Sequence, residues 1–143
     1  MRVIGIHTAP KSGAPLVAHD SIDAVAGKGL VGDRHYDRYS KGQITVVSSD
    51  ELATAEAELG YPIPLGATRR NITVEGLELP RKPGDRLRLG EVVVEVYREA
   101  FPCITMEDAV GVGAHKALRG HSGIRGLIIE GGTLRVGDPA EIS

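Results

Sequence analysis

The sequence is poor in cysteine, in aromatic side chains and in long apolar runs. Its 143 residues include one cysteine, no tryptophan, four tyrosines and one phenylalanine. A single cysteine cannot form an internal disulfide, which predicts a reducing, cytoplasmic compartment. No run approaches the roughly 20 apolar residues of a membrane-spanning helix, so we expect no membrane segment. The few aromatics and a formal charge of −2 argue against a nucleic-acid-binding surface.

Glycine, by contrast, is abundant, with 19 residues against a usual share of about 7%. The glycines separate short β-branched segments, which is typical of strands joined by tight turns. We therefore predict a single domain over residues 1–143 with a mainly β fold. The regular spacing of the segments favours a sandwich or a barrel of about eight short strands over alternating βαβ units. The predicted strands are Arg2–His7, Leu16–Ala18, Gln43–Ser48, Asn71–Val74, a hairpin over Arg86–Val96, Ile124–Glu130, Thr133–Val136 and Ala140–Ile142.

One helix is indicated by its start and stop signals. Ser48 and Glu51 have the spacing of a capping box, in which each side chain bonds the other residue's backbone. Apolar residues on one face and Gly60 at the end predict a helix over Asp50–Leu59.

A second helix is predicted from about Met106 to Leu118. It opens with a similar pattern, Thr105 followed three residues later by Asp108. Two internal glycines each cost about 1 kcal/mol relative to alanine, so this helix should be short or broken.

Three charged, glycine-flanked segments could form an anion site. They are Gly32-Asp33-Arg34-His35, Arg69-Arg70-Asn71 and Gly120–Gly126, which contains His121 and Arg125. Arginine and histidine side chains donate hydrogen bonds to anionic groups. The usual interpretation of a single polar segment of this kind is a solvated loop. Together, the three could face one cleft from different strand ends.

Cys103 is the candidate for covalent chemistry. A lone cysteine is usually a small buried apolar residue. Here Pro102 precedes it, and the predicted helix begins two residues after it, at Thr105. A helix N-terminus lowers the pKa of a nearby thiol, so Cys103 could be a nucleophile, a sulfur acceptor or a soft-metal ligand. A Cys–His hydrolase using His115 or His121 also remains open.

In their order along the chain, these segments resemble the MOSC family, named for the C-terminal domain of molybdenum cofactor sulfurases. The resemblance covers about residues 3–142. The matching pieces are Gly29–His35, Gln43–Val46, Arg70–Gly76, Gly84–Gly90, Cys103, Arg125-Gly126 and Gly132–Asp138.

This resemblance implies a compact closed or partly open β-barrel of about seven or eight short strands with two or three short helices. A pocket at one end of the barrel would bind the molybdenum cofactor, a molybdopterin. The resemblance implies that Cys103 is the catalytic residue, acting as sulfur carrier or molybdenum ligand. It also implies that six residues line the pocket and hold the pterin phosphate. These are Asp33, Arg34, His35, Arg70, Asn71 and Arg125.

The resemblance also implies partners. The larger sulfurases carry a pyridoxal-phosphate desulfurase domain, which 143 residues cannot contain. Sulfur would therefore come from a separate donor of the cysteine desulfurase type. Some family members reduce N-hydroxylated compounds, and that activity would need an external electron donor here. Whether the chain is an enzyme stays open, because a non-catalytic binding module for another phosphorylated or anionic ligand is the alternative.

Overall fold

A computed structural model describes residues 1–102 and 105–143, except for the side chain of Thr105. This part of the chain forms eleven strands and three helices. The strands are β1 (Arg2–Thr8), β2 (Val17–Ala18), β3 (Ser21–Val25), β4 (Gly29–Leu30), β5 (Ile44–Ser48), β6 (Ile72–Glu75), β7 (Arg86–Leu89), β8 (Val92–Glu99), β9 (Ile124–Glu130), β10 (Gly132–Arg135) and β11 (Ala140–Ile142). The helices are α1 (Ser49–Leu59), α2 (Thr105–Ala109) and α3 (Ala114–Ala117).

The strands form two sheets. The larger has eight strands in the order β11-β7-β8-β9-β5-β6-β1-β2, and the smaller has the order β10-β3-β4. Neighbouring strands are antiparallel except for β5 and β6, which are parallel and are connected through α1. The mainly β fold with a few helices is therefore confirmed.

The predicted barrel is not confirmed. Strand pairing among the described residues leaves β11 and β2 at the two ends of the larger sheet and does not close it. An isolated bridge between Arg2 and Pro139 brings β1 close to β11 without a continuous ladder. The strand β2 is only two residues long, too short to extend the pairing around a barrel.

The described part of the chain has eleven strands against the seven or eight expected, and two of them, β3 and β4, match none of the predicted segments. Residues Ser21–Val25 alternate exposed and buried side chains, and Ile22 and Ala24 face the core. This alternation has the period of two that marks a half-buried strand.

The helix predictions are confirmed. Ser48 caps α1, its side chain accepting from the Glu51 N–H while the Glu51 carboxylate accepts from the Ser48 N–H. Gly60 ends α1 in the left-handed conformation, with a φ of 80°. The second predicted helix is broken into α2 and α3 at the two-glycine segment, as its glycines indicate.

Two apolar clusters hold the fold together. The larger lies among the strands and includes fully buried side chains such as Leu30, Ile44 and Ile124. The smaller packs the helices against β5 and includes Leu52, Met106 and Leu118, among others. In the described ranges, no helix is long and apolar enough to cross a membrane.

Gly123 shows why a glycine is needed just before β9. Its φ is +81°, and a Cβ there would lie 1.9 Å from the carbonyl oxygen of Val46. Gly120, three residues earlier, has almost the same φ of +78°, but a Cβ there would meet no atom within 4 Å. An alanine at either position would have the same backbone strain, but only at Gly123 would it also overlap a neighbouring atom.

We expect Gly123→Ala to be much more destabilising than Gly120→Ala. Gly120→Ala should lower the free energy of unfolding by about 1–2 kcal/mol through left-handed strain. Gly123→Ala should lower it by roughly 2 kcal/mol more, because the added methyl group overlaps the β5 backbone. Denaturant unfolding of both variants measures the difference, and equal losses would contradict the packing described for Gly123.

Candidate functional site

Five segments of the chain surround a cavity of about 550 Å³. We call this cavity the arginine pocket. Its lining is rich in basic side chains and comprises Ser12, Gly13, Arg34, His35, Thr68, Arg69, Arg70, Met106, Asp108, Ala109 and Arg125. Four of the six residues expected to hold the cofactor are among them. A cavity of about 600 Å³ elsewhere, beside Glu78, Asp85 and Arg86, mixes charges of both signs and contains no predicted site residue.

The basic residues reach the arginine pocket from separate parts of the fold. Arg34 follows β4, Arg69 and Arg70 precede β6, and Arg125 is the second residue of β9. Burial lowers the pKa of Arg34, and the nearby charges of Arg69 and Arg125 lower it further, while Asp33 opposes the shift. Mutual repulsion of this kind is relieved when an anion binds. The arrangement therefore favours a negatively charged ligand.

Asp33 lies behind the pocket and orients two residues that line it. Its carboxylate is fully buried and accepts from the backbone N–H groups of Ala9 and His35. The Arg34 guanidinium lies 3.3 Å from Oδ1. Asp33, which was expected to line the pocket, is not among its lining residues, because its carboxylate is taken up by these contacts within the protein.

His35 lines the pocket, and one of its two ring nitrogens faces the Asp33 carboxylate. Its Nδ1 lies 3.2 Å from Oδ2 of Asp33, so the carboxylate favours a proton on Nδ1. Nε2 is then the ring nitrogen that a ligand could use. The ring also lies 5.9 Å from the ring of Tyr39, measured between centroids.

Arg70 lines the pocket but also anchors its frame. The residue is 6% exposed, and its Nε and Nη2 donate to the carbonyl oxygens of Ser122 and Phe101 at 2.9 and 3.2 Å. These bonds hold the backbone just before Cys103 and just before β9. Arg70 therefore has a positioning role that its sequence motif did not indicate.

Asn71 is not part of the lining, contrary to prediction. It is fully buried, and its Oδ1 accepts from the backbone N–H and the hydroxyl of Thr45, while Nδ2 donates to the carbonyl of His7. The side chain thus ties the starts of β5 and β6 to the end of β1. A buried amide in a strand frame satisfies backbone groups that a ligand could not reach.

Arg69 lines the pocket, although it is not one of the six residues that the family resemblance assigned to the cofactor. It has a φ of 63°, an uncommon value for a residue other than glycine, and such strain often marks functional segments. Its carbonyl accepts from Arg34 Nη2 at 3.2 Å, and its own Nη2 donates to the carbonyl of Ala14 at 2.8 Å. The sequence signal that could have identified Arg69 as a lining residue is its position next to Arg70 in a run of two arginines.

Helix α2 forms one wall of the arginine pocket through Met106, Asp108 and Ala109. The helix is fastened to α3 by Glu107, whose carboxylate accepts from the N–H groups of Gly113 and His115 at 3.0 and 2.7 Å. These backbone hydrogen bonds lower the pKa of Glu107.

Cys103, the predicted catalytic residue, lies outside the described residues. Within the ranges 1–102 and 105–143, no group of three or more histidine, aspartate or glutamate side chains could hold a metal ion. The described lining contains anion-binding groups, the side chains of Arg34, Arg69, Arg70 and Arg125.

We expect Asp33→Asn to flatten the acid limb of the stability curve. Burial raises the pKa of Asp33, but hydrogen bonds from His35 and Ala9 outweigh this, so the pKa lies below its ordinary value. The carboxylate then stabilises the fold above the ordinary pKa of about 3.9, and this stabilisation is lost as the pH falls through the lower folded pKa.

Denaturant unfolding between pH 7 and pH 3 tests this. Asp33→Asn should lower the free energy of unfolding at pH 7 by roughly 1–3 kcal/mol. The matched variant is Asp37→Asn, in the same loop but exposed, which should behave as wild type. Identical acid limbs for wild type and Asp33→Asn would contradict the role given to Asp33.

Comparison with solved structures supports the fold. The chain is similar to the YuaD protein of Bacillus subtilis, with 20% identity and a TM-score of 0.87 over 99% of this chain and 94% of that one. It is also similar to YiiM from Geobacillus stearothermophilus, with 19% identity and a TM-score of 0.70 over 99% and 74% of the two chains. YiiM from Escherichia coli gives 19% identity and a TM-score of 0.71 over 100% and 70%. A search of curated protein sequences gave no match.

The family is established by sequence. The family model of the MOSC domain matches residues 11–141, which include every lining residue of the arginine pocket. The chain therefore belongs to the MOSC domain family.

Proposed function

We propose that this chain binds the molybdenum cofactor in the arginine pocket, with the Cys103 thiolate as sulfur carrier or molybdenum ligand. The observation that carries the proposal is the convergence of Arg34, Arg69, Arg70 and Arg125 on one cavity. A cavity of about 550 Å³ lies within the usual range for small-ligand sites, roughly 300–1,000 Å³. Membership of the MOSC domain family supports the choice of cofactor.

The donor chemistry of the pocket suits the phosphate of this cofactor. Guanidinium groups present N–H donors in a planar fork that matches phosphate oxygens. Arg34 and Arg69 are held by backbone carbonyls before any ligand arrives. Fixed donors lose little side-chain freedom on binding, which favours affinity. Arg34 and Arg69 would hold the phosphate, with Arg125 and His35 beside it in the lining.

The residues near Cys103 in sequence support its assignment to this pocket. The Phe101 carbonyl accepts from Arg70, a lining residue, and Met106 is itself part of the lining. The cysteine lies between these two positions in sequence. A thiolate is the side chain that carries sulfur or binds a soft metal.

When bound, the cofactor would supply a molybdenum centre capable of redox or sulfur chemistry. The protein itself would bind the phosphate, orient the cofactor and provide one thiolate. In our proposal, sulfur comes from a separate donor of the cysteine desulfurase type, or electrons come from an external donor if the chain reduces N-hydroxylated compounds. The expected compartment is the cytoplasm.

A non-catalytic binding module is the second candidate. The contacts of Arg34, Arg69, Arg70 and Arg125 account for recognition of a phosphorylated or anionic ligand without any thiol. Under this alternative, Cys103 would be dispensable for binding. The two candidates therefore differ in what replacement of Cys103 does.

Cofactor content is the first test. Wild type and Cys103→Ala are produced in a host that makes the molybdenum cofactor, and the purified proteins are analysed for molybdenum and pterin. We expect wild type to retain both and Cys103→Ala to lose most of its molybdenum. Equal contents in the two proteins, or none in either, would contradict the thiolate role. Alkylation of the single cysteine across pH should also show a pKa below the ordinary value of about 8.5.

Anion affinity is the second test. Arg34→Ala should weaken binding of pyrophosphate by about tenfold or more, because a charge-assisted hydrogen bond is lost. Arg34→Lys should bind with intermediate affinity, since it keeps the charge without the fork. Isothermal titration calorimetry measures the affinities, with the exposed Arg135→Ala on β10 as the matched control. Wild-type affinity in Arg34→Ala, or an equal loss in Arg135→Ala, would argue against the arginine pocket.

A further inference from the structure

A second concave site adjoins the arginine pocket. It is a groove of about 410 Å³ whose lining includes the side chains of Tyr39, Lys41, Tyr97, Arg98 and Arg125. We call it the aromatic groove. Arg125 lines both sites, so the two lie side by side at the start of β9. Neither the family assignment nor the proposed function gives this groove a ligand.

An irregularity in the sheet shapes the aromatic groove. The strand β8 pairs with β9 through Val96 opposite Gly126 and then through Arg98 opposite Arg125, so Tyr97 is an extra residue on β8. In a regular strand, successive side chains point to opposite faces. Here Tyr97 and Arg98 are both exposed and both line the groove. Bulges that redirect side chains in this way are enriched beside functional sites.

The bulge also creates a facing pair of like charges. Arg98 and Arg125 are register partners on adjacent antiparallel strands. Like charges at directly opposed positions destabilise a sheet. With Lys41, they give the groove three basic side chains. A negatively charged ligand would offset this repulsion.

Aromatic side chains are exposed at the same place. The chain has only five aromatic residues, and three of them lie here: Tyr39 is 53% exposed, Tyr97 38% and Phe101 59%. The rings contact the basic groups. Lys41 Nζ lies 5.5 Å from the centroid of the Tyr97 ring, and the Arg98 guanidinium lies 5.8 Å from Tyr97 and 5.5 Å from Phe101. Flat apolar rings beside cations can hold the flat ring of a ligand.

The loop that forms one wall of the aromatic groove is fixed by a buried glutamine, Gln43. The buried side chain of Gln43 donates from Nε2 to the carbonyls of Tyr39 and Ser40, and its Oε1 accepts from the N–H of Ile128 on β9. The loop that carries Tyr39 and Lys41 is thereby tied to the sheet. The groove is therefore a formed site.

We propose that the aromatic groove binds a small molecule with an aromatic ring and an anionic substituent, the ring against the tyrosines and the anion toward Arg98 and Arg125. A small ligand fits better than a nucleic acid. The basic surface ends at Glu95, which lines the adjoining cavity, and the chain as a whole has a net charge of −2. The inference does not depend on which ligand fills the arginine pocket.

Phenylphosphonate and methylphosphonate test the proposal, because they share the anionic group and differ in the ring. Isothermal titration calorimetry of the full chain at low ionic strength should show wild type binding phenylphosphonate more tightly. Tyr97→Leu should weaken phenylphosphonate binding about threefold to tenfold and leave methylphosphonate binding unchanged. Arg98→Gln should weaken phenylphosphonate binding about tenfold.

Tyr97 and Arg98 are exposed, so we expect both variants to fold, and thermal melting verifies that they do. The control Arg135→Gln, on the smaller sheet, should bind as wild type does. Equal wild-type affinity for the two phosphonates, no binding of either, or unchanged binding in both groove variants would overturn the proposal. Tighter binding of a single-stranded RNA, lost in the same two variants, would overturn it in favour of a nucleic acid.

Discussion

The structure depends on holding several arginines at one cavity against their mutual repulsion. Arg34, Arg69, Arg70 and Arg125 come from three segments that are distant in sequence. The first three are held largely by neutral carbonyl groups, together with the buried carboxylate of Asp33. Carbonyls orient a guanidinium without cancelling its charge. The pocket therefore keeps its attraction for anions while the geometry of its donors stays defined.

The frame behind the pocket serves the same end. The Asn71 side chain hydrogen-bonds the backbone N–H of Thr45 and the carbonyl of His7. The Gln43 side chain hydrogen-bonds the N–H of Ile128 and a carbonyl of the loop before β5. Both amides are buried, and they fix the strand ends and the loop from which lining side chains project. Gly123 lets the chain pass against β5 just before Arg125. Small and polar residues thus position the cationic ones.

Much of the fold was predictable because its signals are local. Most strands are predicted by β-branched runs bounded by glycines, and α1 is predicted by the spacing of Ser48 and Glu51. The short alternating run of β3 carries the same kind of signal and was missed. Closure of the sheet depends on the pairing of β1 with distant strands, which local patterns do not encode, so the barrel expectation went beyond what the structure shows.

The sequence predicts which segments form the candidate site, but not which residues of those segments line the pocket and which support it from behind. Asp33 and Asn71 lie next to lining residues in sequence, yet they bond to the protein behind the pocket. A polar residue in a loop motif can contact a ligand or orient the residues that do, and both roles select the same residue types. Only the three-dimensional arrangement distinguishes them, as it does for Arg69, which belongs to a predicted segment but not to the six residues first assigned to the cofactor.

The central claim is that the arginine pocket receives the phosphate of the molybdenum cofactor. The most direct measurement is a crystal structure of the protein purified from cells that make this cofactor. The account predicts phosphate density within hydrogen-bonding distance of the Arg34 and Arg69 guanidinium groups, with the pterin beside α2. Phosphate density at another surface, or cofactor bound away from these two arginines, would contradict it.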